Sequence, residues 1–131
     1  MEAIFIPPES HSPNIEFYPS GKMLIEGRSM PENVFALFNP LLIFATEIAT
    51  EKVDLDINLE YFNTSTSKKI LELLQTLDEN EKIKELNVSW HYESDDEDSY
   101  EMGEIYEECL KNTNFYYIPH TQVVCLSDRY Y

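Results

Sequence analysis

The sequence predicts an α+β fold in which helices pack on one face of a mixed β-sheet, in the order ββαβαβαβ. Two kinds of pattern predict it. Residues 53–61 and 86–93 alternate apolar and polar side chains, the period of a strand with one buried face. Residues 64–77 lie between them with apolar side chains at i, i+3, i+4 and i+7, the period of an amphipathic helix. A strand buried on both faces reads instead as a continuous apolar run, so this sheet is expected to be covered on one side and wet on the other.

Residues 1–13 form an extended lead-in, because Pro7, Pro8 and Pro13 block a helix. Residues 14–18 and 22–26 are short β-prone runs. Pro19-Ser20-Gly21 between them is turn chemistry and predicts a hairpin. Residues 31–50 read as a helix. Pro31 suits its first position, where a missing N–H has no partner to lose, and Glu32 falls in the first turn, where the helix dipole favours an anion. Val34, Leu37, Phe38, Leu41, Ala45 and Ile48 make one apolar stripe; Phe35, Leu42 and Ile43 lie off it. A helix apolar on more than one side is either deeply buried, here under the N-terminal lead-in, or docks a partner. Pro40 is mid-helix and cannot donate to the Ala36 carbonyl, which predicts a kink or break.

In the first alternating run Val53, Leu55, Ile57, Leu59 and Tyr61 point one way, against Asp54, Asp56, Asn58 and Glu60. In the second, Leu86, Val88, Trp90 and Tyr92 oppose Asn87, Ser89, His91 and Glu93, so His91 is expected on the wet face. The helix between them turns Ile70, Leu73, Leu74 and Leu77 to the sheet, with Asn63 and Thr64 as N-cap side chains. Residues 78–84 are a polar connection and residues 93–98 an acidic loop. Residues 99–111 form a third helix, with Met102, Ile105, Tyr106, Cys109 and Leu110 on one side. Residues 115–118 are a short β run that Pro119 ends, and the tail to Tyr131 has no clear pattern. No repeat or linker divides the chain, so residues 1–131 are expected to form one domain.

At 131 residues the chain is long enough to bury roughly two-thirds of its unfolded surface. Its 43% hydrophobic residues exclude wholesale disorder. Nine Lys and Arg against 25 Asp and Glu leave a net charge of −16. Such a surface repels phosphate backbones and anionic lipid heads, which argues against nucleic acid and membrane as partners. Cys109 and Cys125 have no metal or redox spacing and read as reduced thiols of a cytosolic protein. There is no basic leader, and the apolar run 41–45 is too short to insert in a membrane, so the expected location is the cytoplasm.

Catalytic signals are missing. Gly21, Gly27 and Gly103 are scattered, unlike a phosphate cradle, and His11, His91 and His120 share no helical spacing or nucleophile motif. The acidic loop lacks the residue pattern of a calcium loop. No catalytic residue, metal or cofactor is therefore assigned. The sharpest local feature is Asn63-Thr64-Ser65-Thr66-Ser67-Lys68-Lys69, where a strand ends and four hydroxyl residues enter a helix. One N-cap needs one hydroxyl. A phosphate at a helix start meets unpaired N–H groups and the positive end of the dipole. Lys68 and Lys69 sit where cations are mildly unfavourable, which an anion at Thr64 would relieve; the run reads equally as an over-supplied N-cap followed by plain surface lysines.

These residues together resemble the SiaC-like regulatory phosphoproteins of bacteria. The matching pieces are Ser29-Met30-Pro31-Glu32-Asn33, Phe38-Asn39-Pro40-Leu41-Leu42 and Tyr61-Phe62-Asn63-Thr64-Ser65 through Lys68. Val88-Ser89-Trp90-His91-Tyr92, the run Asp95-Asp96-Glu97-Asp98 and Met102-Gly103-Glu104 complete the set. The resemblance implies a STAS-like fold, as in anti-sigma-factor antagonists, and a non-catalytic switch. It implies phosphorylation of Thr64 by a cognate serine/threonine kinase (SiaB-like), with Ser65, Thr66 and Ser67 as competing neighbours. It also implies removal of the phosphate by a PP2C-type phosphatase (SiaA-like). The unphosphorylated form is then expected to activate a diguanylate cyclase (SiaD-like), and so to govern cyclic-di-GMP and biofilm behaviour. The expected contact patch comprises Asn63, Thr64, Ser65 and Lys68, with Phe35 and Leu42 as a second contact. A constitutive binding module, an acidic cation-binding or decoy protein and a small hydrolase are the alternatives.

Overall fold

The computed structural model describes residues 1–121. Six strands form one sheet in the order β1-β2-β3-β4-β5-β6. They are β1 (Ile4–Ile6), β2 (Asn14–Phe17), β3 (Lys22–Ser29), β4 (Lys52–Phe62), β5 (Glu85–Glu93) and β6 (Thr113–His120). The first three are antiparallel, and β3 through β6 run parallel. Each parallel step is bridged by a helix: α1 (Val34–Glu47), α2 (Thr64–Glu79) and α3 (Glu97–Glu108). The chain always advances in the same direction across the sheet. Right-handed crossovers then put all three helices on one face.

That face carries the core. Ile15, Phe17, Met23, Ile25, Val53, Leu55, Ile57, Val88 and Trp90 line it from the sheet, and Phe38, Leu41, Ile70, Leu73, Leu74 and Tyr106 close it from the helices. From residue 14 onward the order is the one expected. The lead-in contributes one strand more: residues 4–6 pair antiparallel with β2, because a chain kept extended by flanking prolines can still bond to a sheet edge.

Several boundaries move for identifiable reasons. Helix α1 starts at Val34, not Pro31, because Asn33 accepts from the Ala36 N–H at 3.0 Å and so fixes the cap; Glu32 therefore lies outside the first turn. The helix runs through Pro40 without a break, since Pro40 and Ala36 are both on the exposed side and water can satisfy the freed carbonyl. Strand β6 extends through Pro119, which pairs with Tyr92; no further described strand needs its missing N–H. The acidic run is a loop only over residues 94–96. Asp96 caps α3, and Glu97 and Asp98 occupy its first turn.

On α3, Gly103 and Tyr106 are buried while Ile105 and Cys109 are exposed. A Cβ at Gly103 would stand 2.8 Å from Trp90 Cδ1 and 2.9 Å from Tyr117 Cε2, so the bare backbone sets which side faces the sheet. Ile105 then lies about 200° around the helix from Gly103 and points outward.

The second face of the sheet is polar, as its alternation implies, but it is not uniformly wet. Glu16, Glu26 and Asn14 are buried there. Asn14 and Tyr18 donate to the Glu16 carboxylate at 2.9 and 2.8 Å, and Asn58 donates to Glu26 at 3.2 Å. His91, expected to be exposed, retains only 6% of its surface. Its Nε2 is 2.7 Å from Asp56 Oδ1 and its Nδ1 is 2.8 Å from His120 Nε2. The alternation predicted the face correctly; on it, His91 meets partners from two neighbouring strands. Cys125 and the rest of the tail lie outside the described residues.

Candidate functional site

The junction between β4 and α2 begins with a bulge. Register with β3 passes from Gly27↔Leu59 to Arg28↔Tyr61, which leaves Glu60 as an extra residue on β4. One extra residue sends the following side chains to opposite faces. Tyr61, expected in the core, is therefore 49% exposed, with the Arg28 guanidinium 5.9 Å from its ring centroid. Phe62 turns inward instead and meets Trp90 edge to face at 6.0 Å. Gly27, at φ +118°, supplies the backbone conformation that β3 needs beside the bulge.

The strand then releases its last bond, from Asn63 N–H to the Ser29 carbonyl at 3.1 Å, and the helix begins. Asn63 alone caps it. Its Oδ1 accepts from the Thr66 N–H and from the Ser65 hydroxyl, each at 3.0 Å. Thr64 does not share the cap.

The four hydroxyls sort into two pairs. Thr66 is completely buried; its Oγ1 lies 2.9 Å from Ser29 Oγ and donates to the Ser29 carbonyl at 3.2 Å. Ser67 Oγ lies 2.9 Å from the Tyr106 hydroxyl, which in turn donates to the Ser67 carbonyl at 3.0 Å. These two tie α2 to β3 and to α3. Thr64 and Ser65 are exposed. The Ser65 hydroxyl is spent on Asn63, whereas no hydrogen bond joins the Thr64 hydroxyl to any described residue. Ser29 and Tyr106, 37 and 39 residues away in sequence, were not legible as parts of this site, since no local pattern connects them to it.

Charge and apolar surface meet beside Thr64. The first turn of α2 holds no acidic residue. Lys68 is exposed, and Lys69 reaches Glu72 at 3.0 Å and stands 5.4 Å from the centre of the Phe35 ring. This last contact brings α1 to the same surface. Phe35 is 60% exposed and Ile43 about half exposed, while Leu42 is half-buried against the core. The lead-in does not cover the exposed pair, because its strand sits at the edge beside β2.

Among the described residues no three His, Cys, Asp or Glu side chains are grouped to hold a metal ion, and no helix is long and apolar enough to cross a membrane.

The arrangement is a small α+β domain with an accessible hydroxyl at a helix start beside its sheet. Proteins of Pseudomonas aeruginosa share this architecture. The structure of SiaC superposes with a TM-score of 0.81 at 25% identity, covering 92% of this chain and 100% of that one. A structure of diguanylate cyclase SiaD in complex with its activator SiaC matches with a TM-score of 0.80 at 26% identity, over 89% of this chain and 99% of the matched chain. An uncharacterised protein of strain UCBPP-PA14 is 27% identical over 113 residues, 82% of this chain and 90% of that protein. Residues 6–120 match the SiaC family regulatory phosphoprotein, and the chain belongs to that family.

Proposed function

We propose that this protein is a phosphorylation-controlled activator whose switch residue is Thr64. Unphosphorylated, it binds and activates a diguanylate cyclase in the cytoplasm and thereby raises cyclic-di-GMP and governs biofilm behaviour. A cognate serine/threonine kinase closes the switch and a PP2C-type phosphatase reopens it. The protein itself catalyses nothing; its output is a binding surface. The observation that carries this reading is the sorting of the hydroxyls: Thr66 and Ser67 are held in structural bonds, Ser65 in the cap, and Thr64 is exposed without a described partner. The likeness to a SiaC seen in complex with a cyclase supports the choice of partner.

The contact patch comprises Asn63, Thr64, Ser65 and Lys68, extended by Phe35 and Leu42 of α1. Unphosphorylated, it is polar at the helix start and apolar beside it, and a partner can desolvate it at low cost. A phosphate adds about −1.5 to −2 charges at pH 7. Burying that charge costs several kcal/mol unless a cation meets it. A penalty of about 3 kcal/mol weakens binding about two orders of magnitude, with no change of fold.

The test is phosphopeptide mapping of the protein from its own host, followed by binding of both forms to the cyclase. One phosphate on Thr64 and loss of binding by the phosphorylated form are expected. Thr64→Ala should bind the cyclase and resist the kinase. Phosphorylation of Thr64→Ala at the wild-type rate would refute the assignment. Phe35→Ser probes the second contact: weaker binding at an unchanged melting temperature is expected, and unchanged binding removes Phe35 from the patch.

A further inference from the structure

The chain has nine Lys and Arg for a net charge of −16, so each cation near the switch is notable for what it does or does not neutralise. Three stand close to the junction. Arg28 lies over the Tyr61 ring. Lys69 is committed to Glu72 and to the Phe35 ring. Lys68 is exposed, and no ion pair, hydrogen bond or ring contact ties it to any described residue. It follows Thr64 by four positions on one helix, which makes the two side chains neighbours with Cβ atoms about 5–6 Å apart. The corresponding neighbour of Ser65 is Lys69, whose charge is already matched. The first turn has no acid to compete for Lys68.

We propose that Lys68 is the group through which a phosphate on Thr64 controls partner binding. In the unphosphorylated form its ammonium faces a carboxylate of the partner. In the phosphorylated form it pairs with the phosphate on its own helix, and the partner's carboxylate meets the phosphate charge instead. The switch thus removes an attraction and sets the phosphate against the partner's carboxylate, while pairing with Lys68 offsets part of the desolvation cost. This inference rests on the reading of Thr64 as the phosphosite.

The test follows the phosphate directly. Full-length protein carrying the phosphate is titrated by phosphorus NMR, with the site located by peptide mapping. A neighbouring cation favours the dianion, so the second ionisation, near about pH 6, should lie lower in wild type than in Lys68→Gln. The expected difference is about 0.2–0.4 pH units, the size an exposed i,i+4 pair supports, and it should shrink in high salt. A second readout is binding of the unphosphorylated form to the cyclase. Lys68→Glu should weaken it about tenfold, while Lys82→Glu, beyond the far end of α2, should leave it nearly unchanged. Superimposable titrations, or equal losses in the two glutamate variants, overturn the proposal. A phosphate mapped to another residue overturns the Thr64 reading and this one with it. A phosphate on Thr64 that does not sense Lys68 overturns only this one.

Discussion

At the starts of α2 and α3 the chain uses the same device. Asn63 and Asp96 each follow the end of a parallel strand, and each accepts a hydrogen bond from the backbone N–H three residues on, at 3.0 Å in both cases. The electrostatics then diverge. Helix α3 has a charged cap and two more acids, Glu97 and Asp98, in its first turn, so the positive end of its dipole is already met. Helix α2 has a neutral cap, no acid in its first turn, and lysines one turn further in. Helix α1 shares the neutral Asn cap and the acid-free first turn, but of the three helices only α2 adds lysines one turn further in. An anion added at α3 would meet repulsion; one added at α2 finds the place unfilled. Under the proposed assignment of Thr64, the contrast is what would let a strongly acidic protein take a phosphate at one helix start without losing the helix.

The two helices are mechanically joined, from the last turn of α3 to the first turn of α2, and breaking the joint is the largest effect expected. Tyr106 of α3 holds Ser67 of α2 through its hydroxyl. Burial pushes the Tyr106 ionisation from 10.0 up to about 12, against the lowering effect of the Ser67 hydrogen bond. The folded state thus holds this proton more tightly than the unfolded chain. The stabilisation is fully present below about pH 10 and is lost as pH rises through about 12, amounting to about 2–3 kcal/mol. Urea midpoints across that range should fall in wild type and fall less in Tyr106→Phe. Tyr117 is raised too, by burial and by the nearby Glu107 and Glu104 carboxylates, so part of the alkaline loss will persist in the variant. An identical loss in both proteins would mean that the Tyr106 hydroxyl does not carry the alkaline transition.

Next in size is the contrast between Thr66 and Thr64. Thr66→Val removes the bonds to Ser29 and strands a buried hydroxyl, which should cost about 1–3 kcal/mol. Thr64→Val, at an exposed position, should change stability by less than about 0.5 kcal/mol. Equal costs in a denaturation series would dissolve the division into structural and available hydroxyls.

Much of this is legible in the sequence alone, and what is not shares a cause. The periods of residues 53–61, 64–77 and 86–93 gave the layers, because side-chain direction within one element is set by its own backbone. Asn63 was legible as a cap for the same local reason. Tyr61 was misplaced because a bulge depends on how β4 registers with β3, which its own alternation does not encode. His91 was assigned to the correct face but the wrong environment, since Asp56 and His120 come from other strands. The outward turn of Ile105 follows from the contact of Gly103 with Trp90, again between elements. The junction's residue types were visible in the sequence. The fact that distinguishes Thr64 from Thr66, a partner on β3, was not.

The caps test the shared half of the comparison. Asn63→Ala and Asp96→Ala should each cost about 1 kcal/mol, by loss of the same bond. The charged cap should cost slightly more at low salt, since it also meets the dipole. Melting curves at two salt concentrations separate the parts: the excess at Asp96 should vanish in about 1 M salt, where charges are screened within about 3 Å.

The smallest effects test the half that differs, and they turn on sign rather than size. Glu97→Gln should destabilise the protein by about 0.3–1 kcal/mol, because it takes an anion from a helix start. Ser65→Glu should do the reverse at α2, despite adding a negative charge to an already acidic chain. It also gives up the Ser65 bond to Asn63, so a net gain requires the dipole's attraction to exceed both that loss and the overall repulsion. Thr46→Glu makes the same change of charge in the last turn of α1, where the dipole is negative, and should destabilise. If thermal melts at low salt show Ser65→Glu and Thr46→Glu moving together, the chain's net charge governs and the start of α2 is no special place for an anion. Opposite shifts that collapse in high salt would instead locate the preference in the first turn of α2, where a phosphate on Thr64 would sit.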